Sequence, residues 1–306
     1  MALPVIPNDI LAAESALRSE FINNIESIID ASQLVTTPGG GNDMLFGTAL
    51  ADVINGLSGN DVIATFDGRD TINGAGGDDY ILAGLGNDSI TGGAGNDYIF
   101  GEGGNDTITG GEGDDAMFGG AGRDDMTGGD GNDWIYGNAG ADTATGGDGD
   151  DIMDGGAGAD TFSGDAGNDI LLGGVGTDTL SGGVDNDFIE GGASADTMSG
   201  GLGDDVYFYA NRKHGNDTIL DFESSQDRFE FSGLGFKVDP GTNLDDGVTF
   251  IASGAPTSVV NEATVLYNTG TGELWFDVDG TGAASALLIA TIDGAPQVTH
   301  QDFIFV

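Results

Sequence analysis

"GGAGNDYIFGEGGNDTITGG", Gly92 to Gly111, holds one nine-residue phrase twice. Each copy runs through glycines to Asn-Asp and then places an apolar residue between two others. Steps of nine from Asp97 land on aspartate in both directions. They give Asp43, Asp52, Asp61, Asp70, Asp79, Asp88, Asp97, Asp106, Asp115, Asp124, Asp133, Asp142, Asp151, Asp160, Asp169, Asp178, Asp187, Asp196 and Asp205, nineteen copies over residues 38–208 without a frame slip. Two residues after each aspartate the side chain is apolar, from Leu45 and Ile54 to Met198 and Tyr207, with Ala144 the small exception. A disordered acidic tract has no need to hold that phase.

Glycine reaches left-handed backbone angles without steric cost, so the Gly-Gly-x-Gly runs suit tight turns. The three residues that follow suit a short strand with its middle side chain turned inward. Turn, strand, turn, strand makes a coil of eighteen residues. Stacked coils predict two parallel sheets around a thin core, about nine and a half coils or roughly 45 Å long. One coil buries too little to stand alone, so neighbours and something further must stabilise it.

The chain carries 52 acidic and 7 basic residues, a net charge of −45. Stacking sets Asp97 beside Asp115, and two charges ~5 Å apart repel by roughly 0.8 kcal/mol even in water. Repeated along the roll, this predicts a bare chain that does not fold. Hard cations bind carboxylate and carbonyl oxygens, and Ca²⁺ takes six to eight of them in flexible geometry. Facing turns offer the repeat aspartates and turn-glycine carbonyls, including Gly92, Gly95, Gly101, Gly104, Gly110, Gly113, Gly119, Gly122, Gly128 and Gly131. Magnesium wants a tighter octahedron and keeps its waters. With no cysteine and only His214 and His300, a zinc or copper cage is disfavoured.

"GGAGNDYIF" resembles the nonapeptide G-G-x-G-x-D-x-U-x of RTX (repeats-in-toxin) proteins. The resemblance covers the 171 repeat residues. It implies an all-β, right-handed parallel β-roll with Ca²⁺ held between turns n and n+2, hence at most about seventeen ions for nineteen turns. Leu50, Asp185 and Ser194 replace the fourth-position glycine, and "TFDGRD" (Thr65 to Asp70) lacks the glycine pair. Sites at those turns are placed in doubt.

Residues 1–37 contain no glycine. Ile10, Leu17, Phe21, Ile25 and Ile28 follow helical spacing behind a cap at Asn8 or Asp9. This predicts a short amphipathic helix that docks or caps. No basic stretch leads into an apolar core with a cleavage site, and no apolar run is long enough to span a bilayer. Residues 209–306 read as β-strands with polar turns. "NDTILDF" and "DRFEFS" resemble the segment that closes the roll in serralysin-type proteases and alginate epimerase modules. Asp217, Asp221 and Asp227, or Asp277 and Asp279, are further candidate ligands. The ending "QDFIFV" resembles the C-terminal signal of type I secretion substrates and also reads as an ordinary last strand.

Neither H-E-x-x-H, G-x-S-x-G nor a Cys–His pair occurs, and clustered aspartates would repel phosphate. The expectation is a non-enzymatic, secreted, calcium-binding protein at the cell surface or in the matrix, similar to small rhizobial nodulation-secreted RTX proteins. Its expected partners are calcium ions and the type I secretion machinery, with surface polysaccharide or self-association as further options. Nucleic acid is excluded by charge. The alternatives are the targeting module of an enzyme whose catalytic domain is absent, or a recognition solenoid for carbohydrate or ice. "TIT", "TAT", "TFS", "TLS" and "TMS" set outward hydroxyls in two ladders on the even copies. The odd copies point Tyr80, Leu82, Tyr98, Phe100, Phe118, Trp134, Tyr136, Ile152, Ile170 and Leu172 outward. A helix over about residues 9–32 is expected to lie along that face, with C-terminal strands covering the rest.

Overall fold

A computed structural model of the chain describes residues 39–211, 214–232, 236, 248–253, 263–277 and 286–306. Their architecture is all-β: a parallel β-solenoid of about 11 turns. Odd copies build ten strands of a twelve-stranded sheet, from Met44–Phe46 through Tyr98–Gly103 and Trp134–Ala139 to Val206–Tyr209. Even copies build nine strands of a fourteen-stranded sheet that begins at Val53–Asn55 and includes Thr107–Glu112 and Thr197–Leu202. The register is eighteen residues throughout: Ile99 faces Ile81 and Met117, and Ile108 faces Ile90 and Met126. These side chains form one core between the sheets, none of them more than 1% exposed.

Many strands are six residues long where three were expected. Coils that stack in register also stack their turns, so pairing continues through the glycines, as between Gly93 and Gly111. The inward alternation continues with it: in Thr107–Glu112 both Ile108 and Gly110 are buried.

The solenoid also continues past Phe208. Asp217–Ile219 pairs with Thr197–Leu202 at an offset of twenty-one residues, and Arg228–Phe231 pairs with Val206–Tyr209 at twenty-two. "DTI" and "DRF" repeat the aspartate, spacer, apolar phrase, and short insertions break only its spacing. Leu287–Ile292 then extends the even sheet, followed by Glu273–Asp277, Ala263–Asn268 and Val248–Ser253. Phe303–Phe305 closes the odd sheet against Arg228–Phe231. The C-terminal strands therefore lengthen both sheets edge to edge, contrary to the expected cover over the odd face. A terminal coil presents unpaired amides and carbonyls, and adding strands satisfies them. The helix expected over residues 9–32 lies outside the described residues. Among those residues no helix is long and apolar enough to cross a membrane.

Candidate metal centre

Each repeat aspartate sits where a turn enters its strand, and eighteen-residue stacking aligns them in two columns. Asp97 N donates to Asp115 Oδ1 at 2.7 Å, and Asp115 N donates to Asp133 Oδ1 at 2.8 Å. The same bond runs from Asp43 with Asp61 to Asp187 with Asp205. One carboxylate oxygen is thereby fixed to the preceding coil. The other, Oδ2, is inaccessible to water and has no hydrogen-bond partner at every repeat aspartate from Asp61 to Asp205, seventeen in all. Asp43 and Asp52 differ: their Oδ2 atoms accept from Gly39 N at 2.7 Å and Thr48 N at 2.6 Å, and both residues are partly exposed. The stacking brings the seventeen together as one kind of site and leaves the first two apart.

The glycines explain why Oδ2 can lie where it does. A Cβ placed on Gly101 would come within 2.6 Å of both Asp106 Oδ2 and Gly119 O. Gly92, Gly110 and Gly128 stand in the same relation to Asp97, Asp115 and Asp133, and Gly119 lies equally close to Asp124 Oδ2. The missing side chain leaves a cradle that a carboxylate oxygen shares with a carbonyl oxygen of the next coil. Gly95, Gly104, Gly113, Gly122 and Gly131 serve the turn differently, holding φ between 125° and 145°.

The irregular turns separate on the same criteria. Asp185 and Ser194 keep the left-handed turn, with φ of 75° and 107°, whereas Leu50 is not left-handed. In "TFDGRD" Phe66 adopts φ of 73°, and Thr65 fills the cradle, its hydroxyl donating to Ala83 O at 2.7 Å.

Burial raises the Asp97 carboxyl to about 7; the hydrogen bond from Asp79 N opposes this, and the charges of Asp79 and Asp78 add to it. Burial likewise lifts Asp151 and Asp187 to about 8. A water-free carboxylate oxygen without a donor is costly unless a cation meets it. Among the described residues no three acidic, His or Cys side chains converge on one point. Backbone carbonyls must therefore supply part of any donor set, which suits a hard, oxygen-seeking ion and not zinc or copper.

A second ladder was not anticipated. The residue before each aspartate, when Asn or Asp, accepts from the coil that follows: Asn96 N donates to Asp78 Oδ1 at 3.0 Å and Asp114 N to Asn96 Oδ1 at 3.1 Å. Its signal was the recurrent Asn-Asp and Asp-Asp dipeptide. The two ladders reach in opposite directions along the solenoid.

Of the C-terminal candidates, Asp217 and Asp227 continue the first ladder, their Oδ1 atoms accepting from Asp196 N and Asp205 N. Both oxygens of Asp221 are taken by protein donors: Gly200 N, Gly201 N, the Ser199 hydroxyl and the Tyr207 hydroxyl. Asp277 is fully buried, and Asp279 lies outside the described residues.

No curated protein matches the chain. Two solved structures similar in fold are the AlgE6R3 subunit from the Azotobacter vinelandii mannuronan C5-epimerase and the extracellular lipase LipA from Serratia marcescens. The first is 22% identical over 63% of this chain and 79% of its own, with a TM-score of 0.19. The lipase is 15% identical over 88% of this chain, with a TM-score of 0.22, and this chain spans only 39% of its length. At such scores neither likeness carries weight; the repeat does. The profile of the RTX calcium-binding nonapeptide repeat matches overlapping stretches that run from residue 37 to residue 207. With more than half its length so matched, and with the cradles repeated coil after coil, the chain belongs to the family of RTX calcium-binding repeat proteins.

Proposed function

We propose that the protein is a secreted, non-enzymatic calcium-binding solenoid that folds on Ca²⁺ uptake and acts at the cell surface or in the extracellular matrix. The observation that carries this reading is the run of seventeen buried Oδ2 atoms without donors. In it, Asp61 to Asp205 are the ligands, with turn carbonyls such as Gly110 O and Gly119 O completing the sets. The chain does its part before any ion arrives: the Asp79 amide holds one oxygen of Asp97, which aims the other into the Gly92 cradle. Calcium supplies the divalent charge that lets stacked carboxylates stay ionised.

The C-terminus supports export before folding. Phe303 and Phe305 are buried in the last strand, and the Asp302 carboxylate accepts from Thr299 N and the Ser224 hydroxyl. A type I transporter could read "QDFIFV" only in the unfolded chain, and scarce cytosolic calcium would keep it so. The test is circular dichroism of metal-stripped protein, titrated with Ca²⁺. A β-spectrum that is absent without metal and restored by calcium is expected; a spectrum indifferent to metal removal overturns the reading. Export is tested separately by deleting Asp302 to Val306, which should abolish secretion.

One observation favours a second reading, a recognition surface. Thr109, Thr127, Thr145 and Ser163 face outward in register on the even sheet and stay partly or fully exposed. Binding of the calcium-loaded protein to a polysaccharide panel, lost in a Thr127→Val/Thr145→Val variant, would establish it.

A further inference from the structure

The cradles stand open in most coils and are closed in two. Along the turns that lead from the odd sheet to the even sheet, consider a Cβ built on Gly101, Gly155 or Gly173. It would lie 2.4 to 2.7 Å from two oxygens, Oδ2 of the aspartate five residues on and the cradle carbonyl of the next coil. Calcium holds its oxygens at about 2.3–2.6 Å, so the place of a first side-chain carbon is also the place of an ion. Both cannot be there. Steps of eighteen back from Gly101 reach Ala83 and then Thr65, the cradle positions of Asp88 and Asp70. Both side chains are wholly buried. The Thr65 hydroxyl donates at 2.7 Å to Ala83 O, the carbonyl that would share its cradle. On the opposite turns the cradles are glycine from Gly56 and Gly74 onward. The carboxylates of Asp70 and Asp88 are themselves in place: Oδ1 accepts from Asp52 N and Asp70 N, and Oδ2 is buried without a donor. These two coils lack room for an ion, not a ligand.

We infer that Asp70 and Asp88 mark two latent calcium sites that Thr65 and Ala83 hold shut, so that the native chain takes two ions fewer than its seventeen orphaned oxygens offer. The inference rests on the calcium reading above and decides which members of that run hold an ion of their own. A hydroxyl can ligate calcium, but the Thr65 hydroxyl is committed to Ala83 O, which takes that carbonyl out of a donor set. It thereby stands in for a bridging cation, tying one coil to the next through a hydrogen bond. Ala83 fills the space and supplies no donor of its own. One coil earlier, Asp52 Oδ2 is already taken by Thr48 N. The row of ions on these turns therefore begins at Asp106, whereas on the opposite turns it begins at Asp61. The first coils carry ions along one edge only.

An anomalous difference map from crystals of the full chain grown with calcium locates the ions site by site. Peaks are expected beside Asp61, Asp106 and Asp124, and none beside Asp70 or Asp88. A peak at either of these two, with the others filled, overturns the inference and leaves the calcium reading standing. No peak at any repeat aspartate overturns both. Equilibrium dialysis against radioactive calcium gives the count in solution. Thr65→Gly should add one ion per chain and Thr65→Gly/Ala83→Gly two. Gly101→Ala, at a position outside the left-handed region, closes an open cradle and should remove one. A native count matched by the Thr65→Gly/Ala83→Gly variant, or by Gly101→Ala, overturns the inference. Should a variant fail to fold, the map of the native protein still decides.

Discussion

The repeat coils and the C-terminal coils continue the same two sheets, yet they are held together differently. From Asp61 onward each nonapeptide of the repeats buries an inward apolar side chain and one carboxylate oxygen that no protein group meets. In the C-terminal coils Tyr207, Phe229, Phe231, Phe303 and Phe305 fill the interior in contact with one another. There Asp221 and Asp302 have donors on the protein itself. Backbone geometry alone therefore does not fix the stabilising chemistry. The repeats leave room for ions coil after coil, whereas the C-terminal coils add rings and protein hydrogen bonds and, among the described residues, keep Asp217 Oδ2 as their one such oxygen.

Metal removal should break the comparison most visibly. In metal-stripped protein, amide hydrogen exchange should lose protection across residues 43–205, while residues 217–231 and 286–306 exchange more slowly. Equal loss in both regions would mean that the rings do not sustain the end coils. Acidity comes next. The metal-free carboxyls of Asp97, Asp151 and Asp187 lie at about 7 to 8, above the ordinary value of 3.8. A raised folded-state pKa favours folding below the unfolded value, and that contribution is lost as pH rises through the folded one. Without metal, β-structure in the repeats should thus grow as pH falls from 8 to 5. With calcium bound the sign reverses, because protons compete for the ligands. Circular dichroism against pH, with and without calcium, reads both slopes.

Single substitutions sharpen the contrast. Asp115→Asn should raise the calcium concentration needed for folding, because it removes a charged ligand. Asp221→Asn should leave that midpoint in place and cost about 1–3 kcal/mol in denaturant, since buried donors lose a charged acceptor. The smallest effect separates two tyrosines. Tyr207 accepts from Gly200 N at 2.7 Å, so Tyr207→Phe should cost about 0.5–1.5 kcal/mol. The Tyr136 hydroxyl is buried without a partner, so Tyr136→Phe should be neutral or stabilising in the same assay.

The repeats were legible because aspartate and apolar side chain keep a fixed phase, and stacking then dictates sheets, core and cradles. Asp217 and Asp227 could be suspected as ligands, but not their place in the ladder, because offsets of twenty-one and twenty-two hide the repeat. The satisfied Oδ2 atoms of Asp43 and Asp52 were invisible for another reason. They depend on amides of their own turns, Gly39 and Thr48, and composition does not reveal that choice. The donors to Asp221, such as Tyr207 and Gly200, are not visible in the sequence because they meet it only after the turn folds.

The eighteen-residue register also bears on how a gene for such a protein can change length. Loss or gain of one nonapeptide would move all copies downstream to the opposite sheet, and a change falling between Phe100 and Tyr136 would split the stack of rings they form with Phe118 across two faces. Loss or gain of two neighbouring copies would preserve both surfaces and both ladders. Viable length variants should therefore differ by eighteen codons at a time, so that the unit of inheritance is the coil and not the motif.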